Sequence, residues 1–141
     1  FCLSRGLGDV YKRQGVGLAA NQVGIVKRIF VYDCSHTQSG LRGAIVNPVW
    51  EPVGTQEQTG PEGCLSIPGI SAETTRYNQV FVSGWDIEGR PVSMMASGLM
   101  ARCIQHETDH LNGVLFLQRL EASVRKDALR AIRESAWFNA S

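Results

Sequence analysis

The chain has 141 residues, and its 14 Lys and Arg against 13 Asp and Glu leave a formal net charge of +1. This length fits one domain with one hydrophobic core, and 43% hydrophobic with 19% charged residues is typical of a globular protein. So small a charge provides no long-range field to attract DNA or an anionic membrane. The longest uncharged stretch, residues 14–26, is too short for a transmembrane helix, which needs about 20 apolar residues.

The first half of the chain is predicted to be mainly β-strand. Residues 28–33 are β-branched and aromatic, which favours a strand, and Ser39 and Gly40 predict a turn. The apolar run 44–50 predicts another strand, which Pro48 should confine to a sheet edge or end. Residues 74–86 alternate loosely, and residues 86–89 predict a hairpin turn into residues 91–95.

Two helices are predicted in the second half. The first begins at the N-cap Ser97 and ends near Leu111, before Asn112 and Gly113. It is apolar on two faces, which predicts a central position. The second helix, about 121–137, combines an apolar stripe (Val124, Ala128, Leu129, Ile132, Ala136) with a basic face (Arg125, Lys126, Arg130, Arg133). Early strands and late helices predict an α+β fold, with an antiparallel sheet folded around the first helix.

The four cysteines, at positions 2, 34, 64 and 103, form no C-x-x-C pair. This spacing excludes a zinc ribbon and a thioredoxin-type redox site. A chain of this size with a good apolar fraction needs no disulfides, so we predict thiols in a reducing, cytosolic setting.

The strongest chemical signal is His106-Glu107-Thr108-Asp109-His110, an H-E-x-x-H motif on the most clearly predicted helix. Histidines four residues apart lie one turn above each other, so both rings can reach one metal ion. Glu107 lies between them and suits a general base acting on a metal-activated water. The alternative is a solvated polar turn, which the apolar neighbours Ile104 and Leu111 disfavour.

A catalytic metal site usually has a third protein ligand. No histidine follows His110, which excludes the downstream-histidine signature of some metalloproteases. The upstream candidates for this ligand are His36, in what is most simply an exposed loop, and Cys34, Cys64 and Cys103. Cys103 is favoured as a packing residue beneath the histidines, whereas Gly and Pro around Cys64 would let its segment lie beside the helix.

Three segments together resemble the peptide deformylase family: GVGLAANQVG at 15–24, EGCLS at 62–66 and QHETDHLNG at 105–113. The resemblance covers about residues 15–138. It implies an α+β fold with antiparallel β-sheets packed around a central helix carrying H-E-x-x-H, plus a C-terminal helix. It also implies a metal-dependent amide hydrolase of the bacterial cytoplasm, which removes the N-formyl group from N-formylmethionyl nascent peptides and releases formate.

The same resemblance implies a role for individual residues. The metal ligands would be Cys64, His106 and His110, holding one Fe²⁺ for which Zn²⁺ or Ni²⁺ can substitute, with Glu107 as general acid and base. Gln22 and the backbone N–H of Leu65 would stabilise the oxyanion, and backbone groups of Val16 and Gly17 would align the peptide. Glu62 and Arg76 would support the site through an ion pair. The methionine pocket would include Val16, Leu99 and Cys103, and Arg102 stands where some relatives have an apolar pocket residue.

The first 14 residues do not resemble the family, whose members usually carry a longer segment with an amphipathic helix before the G-x-G-L-A-A motif. The chain starts with Phe1 and shows no signal peptide. We expect residues 1–14 to be non-native or disordered, residues 15–141 to form a single catalytic domain, and the truncated protein to be less stable, with exposed apolar surface.

Two other functions use the same residues. A zinc endopeptidase could be built on the same H-E-x-x-H motif, and a degenerate relative could bind N-terminal peptides without hydrolysis. We expect a monomer that binds neither membrane nor specific DNA. The basic face of the second helix is more typical of a solvated surface than of a contact with ribosomal RNA.

Overall fold

The computed structural model describes residues 16–64 and 66–140 of the chain. The predicted atypical segment, residues 1–14, lies outside the described residues. Within those ranges the strands are β1 Gly17–Ala19, β2 Ile29–Asp33, β3 Arg42–Pro52, β4 Glu57–Cys64, β5 Ile67–Tyr77, β6 Gln79–Trp85 and β7 Pro91–Ser97. The α-helices are α1 Gly98–Leu111, α2 Ala122–Glu134 and α3 Ala136–Asn139, and short 3₁₀ turns lie at Ala20–Val23 and Phe116–Arg119.

The strands form two antiparallel sheets, one of five strands in the order β1-β2-β3-β6-β7 and one of the two strands β4 and β5. The predicted α+β class is therefore confirmed. Helix α1 is central, because every residue from Met100 to His110 is buried. No helix in the described part of the chain is long and apolar enough to span a membrane.

Strand β3 contradicts the prediction made from Pro48. The strand continues through this residue to Pro52 and lies between β2 and β6, not at an edge. A shift of register between Val46 and Val49 absorbs the proline, and Asn47 adopts a positive φ of 51° there. Such a bulge removes the need for a ladder hydrogen bond from the proline nitrogen.

The predicted strand at residues 74–86 is two strands that belong to different sheets. Strand β5 ends at Tyr77 and β6 begins at Gln79, with Asn78 between them. The backbone N–H of Asn78 donates to Gln56, and its carbonyl accepts from Gly98, so this residue marks the crossing between the sheets. The predicted hairpin turn from β6 into β7 is confirmed.

The predicted ends of the first helix agree with the structure, whereas the predicted C-terminal end of the second helix does not. Helix α1 has Ser97 as its N-cap and Asn112 as its C-cap, as expected. Helix α2 ends at Glu134, three residues before the predicted Trp137, because Ser135 is extended and α3 follows it. The indole N–H of Trp137 donates to the carbonyl of Pro68, which holds α3 against β5.

Candidate active site and metal centre

Three ligand-type side chains converge where the end of β4 meets α1. The Sγ of Cys64 lies 3.2 Å from Nε2 of His110, and that nitrogen lies 3.1 Å from Nε2 of His106. All three residues are buried, and their ligand atoms lie within 4.8 Å of one another. Cys64 reaches the histidines because β4 ends at this residue, with the register of the hairpin shifting between Gly63 and Cys64.

The chemistry of these donors fits a metal ion. Metal bonds of about 2.0–2.3 Å in a tetrahedron place neighbouring N and S ligand atoms about 3.3–3.6 Å apart, close to the observed separations. The Nδ1 of His106 lies 2.7 Å from a carboxylate oxygen of Glu62, which leaves Nε2 directed at Cys64 and His110. The described residues therefore contain a group that can hold a metal, and the role of each as a ligand stays a prediction.

Glu107 lies fully buried beside this group, and neither of its carboxylate oxygens has a hydrogen-bond partner among the described residues. An unpaired buried carboxylate is costly unless something else occupies the space next to it, such as a water on a metal ion. Burial raises the pKa of Glu107 to about 7, although the nearby His106 and His110 act to lower it. A carboxyl group with such a pKa can accept and return a proton near neutral pH.

Glu62, which contacts the Nδ1 of His106, has a pKa that is shifted in the opposite direction to that of Glu107. Burial acts to raise the pKa of Glu62, but hydrogen bonds from His106 and Arg76 hold it at about 2. Burial acts to lower the pKa of His106, and its hydrogen bonds with Cys64 and Glu62 raise it to about 9. Because a proton on the ring competes with a metal for the same nitrogen, metal binding at this site releases protons.

Gly17 is required where β1 crosses Glu107. A Cβ atom at this position would lie 2.8 Å from both the Sγ of Cys103 and Oε1 of Glu107. These are closer than van der Waals contact, so the backbone of β1 can pass over the carboxylate only as glycine. This places the predicted peptide-aligning strand directly beside the predicted base.

We expect Gly17→Ala to lower kcat/KM for a formylated peptide by about tenfold, because the added methyl group displaces Glu107. We expect about 1–3 kcal/mol of destabilisation from overpacking. Steady-state assays and urea unfolding measure the two effects. Gly43→Ala, in strand β3 on the far side of β2, is the control because its nearest obstacle is the Tyr32 hydroxyl at 3.2 Å and not Glu107. Equal losses in both variants would contradict the prediction.

Gln22 lies beside Cys64 at the open side of the site. Its amide nitrogen is 3.4 Å from the Sγ of Cys64, and its amide oxygen accepts a hydrogen bond from the N–H of Ala19. The second bond directs the NH₂ group toward the site. Leu65, the other predicted oxyanion donor, lies outside the described residues.

The predicted methionine-pocket residues share one apolar cluster. Val16 and Cys103 are buried in it, and Leu99 packs against it. Cys34 is buried in the same cluster, and a hydrogen bond with Cys103 lowers its pKa. Arg102 does not join this cluster, because its guanidinium points to the β4–β5 hairpin. His36 is exposed and is not part of the ligand group.

A buried network of charges surrounds Glu62. Arg76 donates two hydrogen bonds of 2.9 Å to Glu62 and one of 2.6 Å to Asp109. Arg119 donates two further bonds to Asp109, and Arg102 donates to Glu62. The resemblance pointed to Glu62 and Arg76. The contributions of Asp109, Arg119 and Arg102 to this network were missed. Arg102 had been singled out only as a charged residue at a position that is apolar in some relatives.

Comparison with known proteins places this geometry in a family. The sequence profile described as Polypeptide deformylase matches residues 7–126. Peptide deformylase 1 of Corynebacterium efficiens is 66% identical over 125 residues, which are 89% of this chain and 74% of that protein.

Solved structures agree with the sequence matches. A peptide deformylase from Synechococcus elongatus is 42% identical, with a TM-score of 0.76 over 88% of this chain and 68% of that one. The enzyme from Thermus thermophilus is 40% identical, with a TM-score of 0.77 over 85% of this chain and 71% of that one. The chain belongs to the polypeptide deformylase family.

Proposed function

We propose that the chain removes the N-formyl group from N-formylmethionyl peptides with a metal ion held by Cys64, His106 and His110. As a member of its family the chain is a hydrolase that acts on formylated nascent peptides. The observation that carries the proposal is the buried convergence of one thiol and two imidazoles next to the unpartnered carboxylate of Glu107.

Different residues around the site have different roles in the proposed reaction. A bound divalent metal would polarise a water and lower its pKa. Glu107 accepts the proton of the attacking water and passes it to the amine nitrogen that leaves. The side-chain amide of Gln22 donates to the oxyanion that develops on the formyl oxygen, and the backbone N–H of Leu65 is the proposed second donor. The products are formate and a free α-amino group.

Substrate binding follows from the strand and the cluster beside the site. We infer that backbone groups of Val16 and Gly17 pair with the peptide as an added strand, which gives little selectivity beyond the first residue. The methionine side chain would enter the apolar cluster at Val16, Leu99 and Cys103. Apolar contacts of this kind suit the flexible thioether of methionine.

We infer Fe²⁺ as the physiological metal, one per chain, with Zn²⁺ or Ni²⁺ as substitutes. The support for iron is family resemblance, because one sulfur and two nitrogen ligands do not separate iron from zinc by softness alone. Metal analysis of anaerobically prepared protein, paired with formate release, tests this assignment. Active protein that contains zinc and no iron after anaerobic preparation would contradict it.

The proposed activity is tested with formyl-Met-Ala-Ser. We expect stoichiometric formate release without cleavage of internal peptide bonds. Cleavage inside the peptide would instead indicate an endopeptidase, and binding without formate release would indicate a non-enzymatic peptide binder. A matched substrate with an acetyl group in place of formyl is the control, since the larger group must fit the same space.

We expect Cys64→Ser to weaken metal binding by at least about tenfold and Cys103→Ser to leave it nearly unchanged. A serine hydroxyl stays protonated near neutral pH, whereas a cysteine gives a thiolate, the species that binds metal. Cys103 is also buried but lies in the apolar cluster, outside the ligand group. Titration with Zn²⁺ against a coloured chelator measures both variants, and the reverse order would overturn Cys64 as third ligand.

The partners and location follow from the substrate. We infer a monomer in the bacterial cytoplasm, where nascent chains carry formylmethionine.

We also infer that the exposed basic face of α2 is where contact with ribosomal RNA would occur. Arg125 of that face donates to the carbonyls of Leu117 and Leu120, so the cations directed outward are Lys126, Arg130 and Arg133. Charge reversal of those three should weaken ribosome cosedimentation and leave tripeptide hydrolysis unchanged.

A further inference from the structure

We propose that Arg102 is a positioning residue for the metal site, because its guanidinium fastens helix α1 to the β4–β5 hairpin. The helix carries His106 and His110, and the hairpin carries Cys64, so this attachment sets the separation of the two halves of the ligand group. The inference rests on the proposed function, since it concerns how the same three ligands are held.

The contacts of Arg102 span both strands of the hairpin. Its Nη1 lies 2.5 Å from Oε2 of Glu62, 3.0 Å from the carbonyl of Thr74 and 3.4 Å from the carbonyl of Gly60. Its Nη2 lies 3.5 Å from the carbonyl of Gln58. Residues 58, 60 and 62 are on β4, and residue 74 is on β5. One side chain of α1 therefore reaches the main chain of both strands.

The hairpin packs closely on this guanidinium. A Cβ atom at Gly60 would lie 3.4 Å from Nη2 of Arg102 and 3.7 Å from its Cζ, which is van der Waals contact, so the main chain of β4 lies directly against the arginine. Arg102 itself is only 5% exposed. A buried cation is costly unless several acceptors surround it, and three main-chain carbonyls and one carboxylate do so here.

Arg102 also acts on a ligand through Glu62. The Oε2 of Glu62 accepts from Arg102 and from Nε of Arg76, and Oε1 accepts from Arg76 and faces Nδ1 of His106. Two arginines thus hold the carboxylate in one orientation, and the carboxylate holds the imidazole. Loss of Arg102 leaves Oε2 with one donor and removes one of the two arginines that orient the carboxylate, which weakens its hold on the direction of the His106 ring.

A lysine cannot reproduce this arrangement. Its ammonium is a compact charge that can pair with Glu62, but it lacks the planar fork that reaches Glu62 and the carbonyls of both strands at once. Arg102→Lys therefore keeps the positive charge but loses the planar hydrogen-bonding geometry, and Arg102→Gln removes both.

The test uses Co²⁺ as the probe metal in the full chain, with affinity and the thiolate-to-cobalt absorption band as readouts. We expect Arg102→Gln to weaken Co²⁺ binding by about 10–100-fold and to shift the band. Arg102→Lys should recover only part of the affinity. If Arg102→Gln does not fold, Arg102→Lys carries the test, and wild-type affinity and band in that variant would overturn the proposal.

Ile104→Val is the matched control, because it lies two residues away on α1, is fully buried and packs in the apolar cluster of Val16 and Cys103, not against the β4–β5 hairpin. We expect it to lose about 0.5–1.5 kcal/mol of stability while affinity and band stay at wild-type values. Equal effects of Ile104→Val and Arg102→Gln would reduce Arg102 to a stabilising residue and overturn the proposal. Wild-type protein that bound Co²⁺ without a thiolate band would overturn the proposed ligand set itself. A wild-type band that Arg102→Gln leaves unchanged would overturn the positioning role alone.

Discussion

Glu107→Ala is expected to retain the metal and to lower kcat for formyl-Met-Ala-Ser by about 10²–10⁴-fold, the range typical of a lost general acid and base. Glu107 lies outside the three-atom ligand group, so its removal leaves those atoms in place. The unpartnered carboxylate of Glu107 is also costly to bury, and the alanine variant no longer has this cost. Any loss of folding stability in that variant should therefore be no larger than the loss of side-chain packing explains.

Metal content and kinetics on the same preparation check this prediction. Glu107→Gln is the matched variant, because it keeps the shape of the side chain and cannot take up a proton. A wild-type metal content with strongly reduced kcat in both variants is the expected result. Loss of metal from either variant would instead make Glu107 a ligand, and unchanged kcat would remove it from the mechanism.

The helix and its motif could be predicted because their signals are local. Ser97, the H-E-x-x-H spacing and Gly113 lie within a single stretch, and the apolar pattern on two faces predicted a central helix. The structure confirms these bounds to within one residue. The break at Ser135 was missed because the periodicity continues across it, and the indole of Trp137 finds its partner on β5.

The course of β3 through Pro48 could not be predicted from local sequence. Pro48 is tolerated because Asn47 takes a positive φ and Gly84 on the next strand leaves room for the bulge. A Cβ at Gly84 would lie 2.7 Å from the carbonyl of Val46. Gly84 is 36 residues away from Pro48 in the chain, so no window around the proline contains it.

The candidate site shows the same difference between features with a local sequence signal and features that depend on distant residues. Residue chemistry alone left four candidates for the third ligand. The Gly and Pro around Cys64 favoured it, and the resemblance selected it. Resemblance predicted the pair of Glu62 and Arg76, but the extension of the network to Asp109 was not predicted, because these three residues come from three separate elements. Arg102 was compared with apolar pocket residues, whereas the structure directs it away from that cluster and onto the hairpin.

Glu62→Gln is expected to cost about 3–5 kcal/mol of folding free energy, because it removes the one carboxylate shared by Arg76, Arg102 and His106. Glutamine has nearly the same shape, so the loss is not one of packing. All of the groups that face Glu62 are donors, and the NH₂ of glutamine would direct two further donors at them. The two arginines then remain buried without sufficient negative charge.

The pH dependence of stability identifies the charge as the cause. The pKa of Glu62 is about 2 in the folded protein and lies below its ordinary value of 4.5. Its stabilising contribution is therefore fully present above about pH 4.5 and is lost as the pH falls toward 2. Urea unfolding of metal-free protein should show the wild type losing stability over this interval and Glu62→Gln losing less. Glu88→Gln, which removes an exposed ion pair with Arg90, should follow the wild type throughout. A constant difference between wild type and Glu62→Gln across this interval would mean that shape, and not charge, makes Glu62 indispensable to the site.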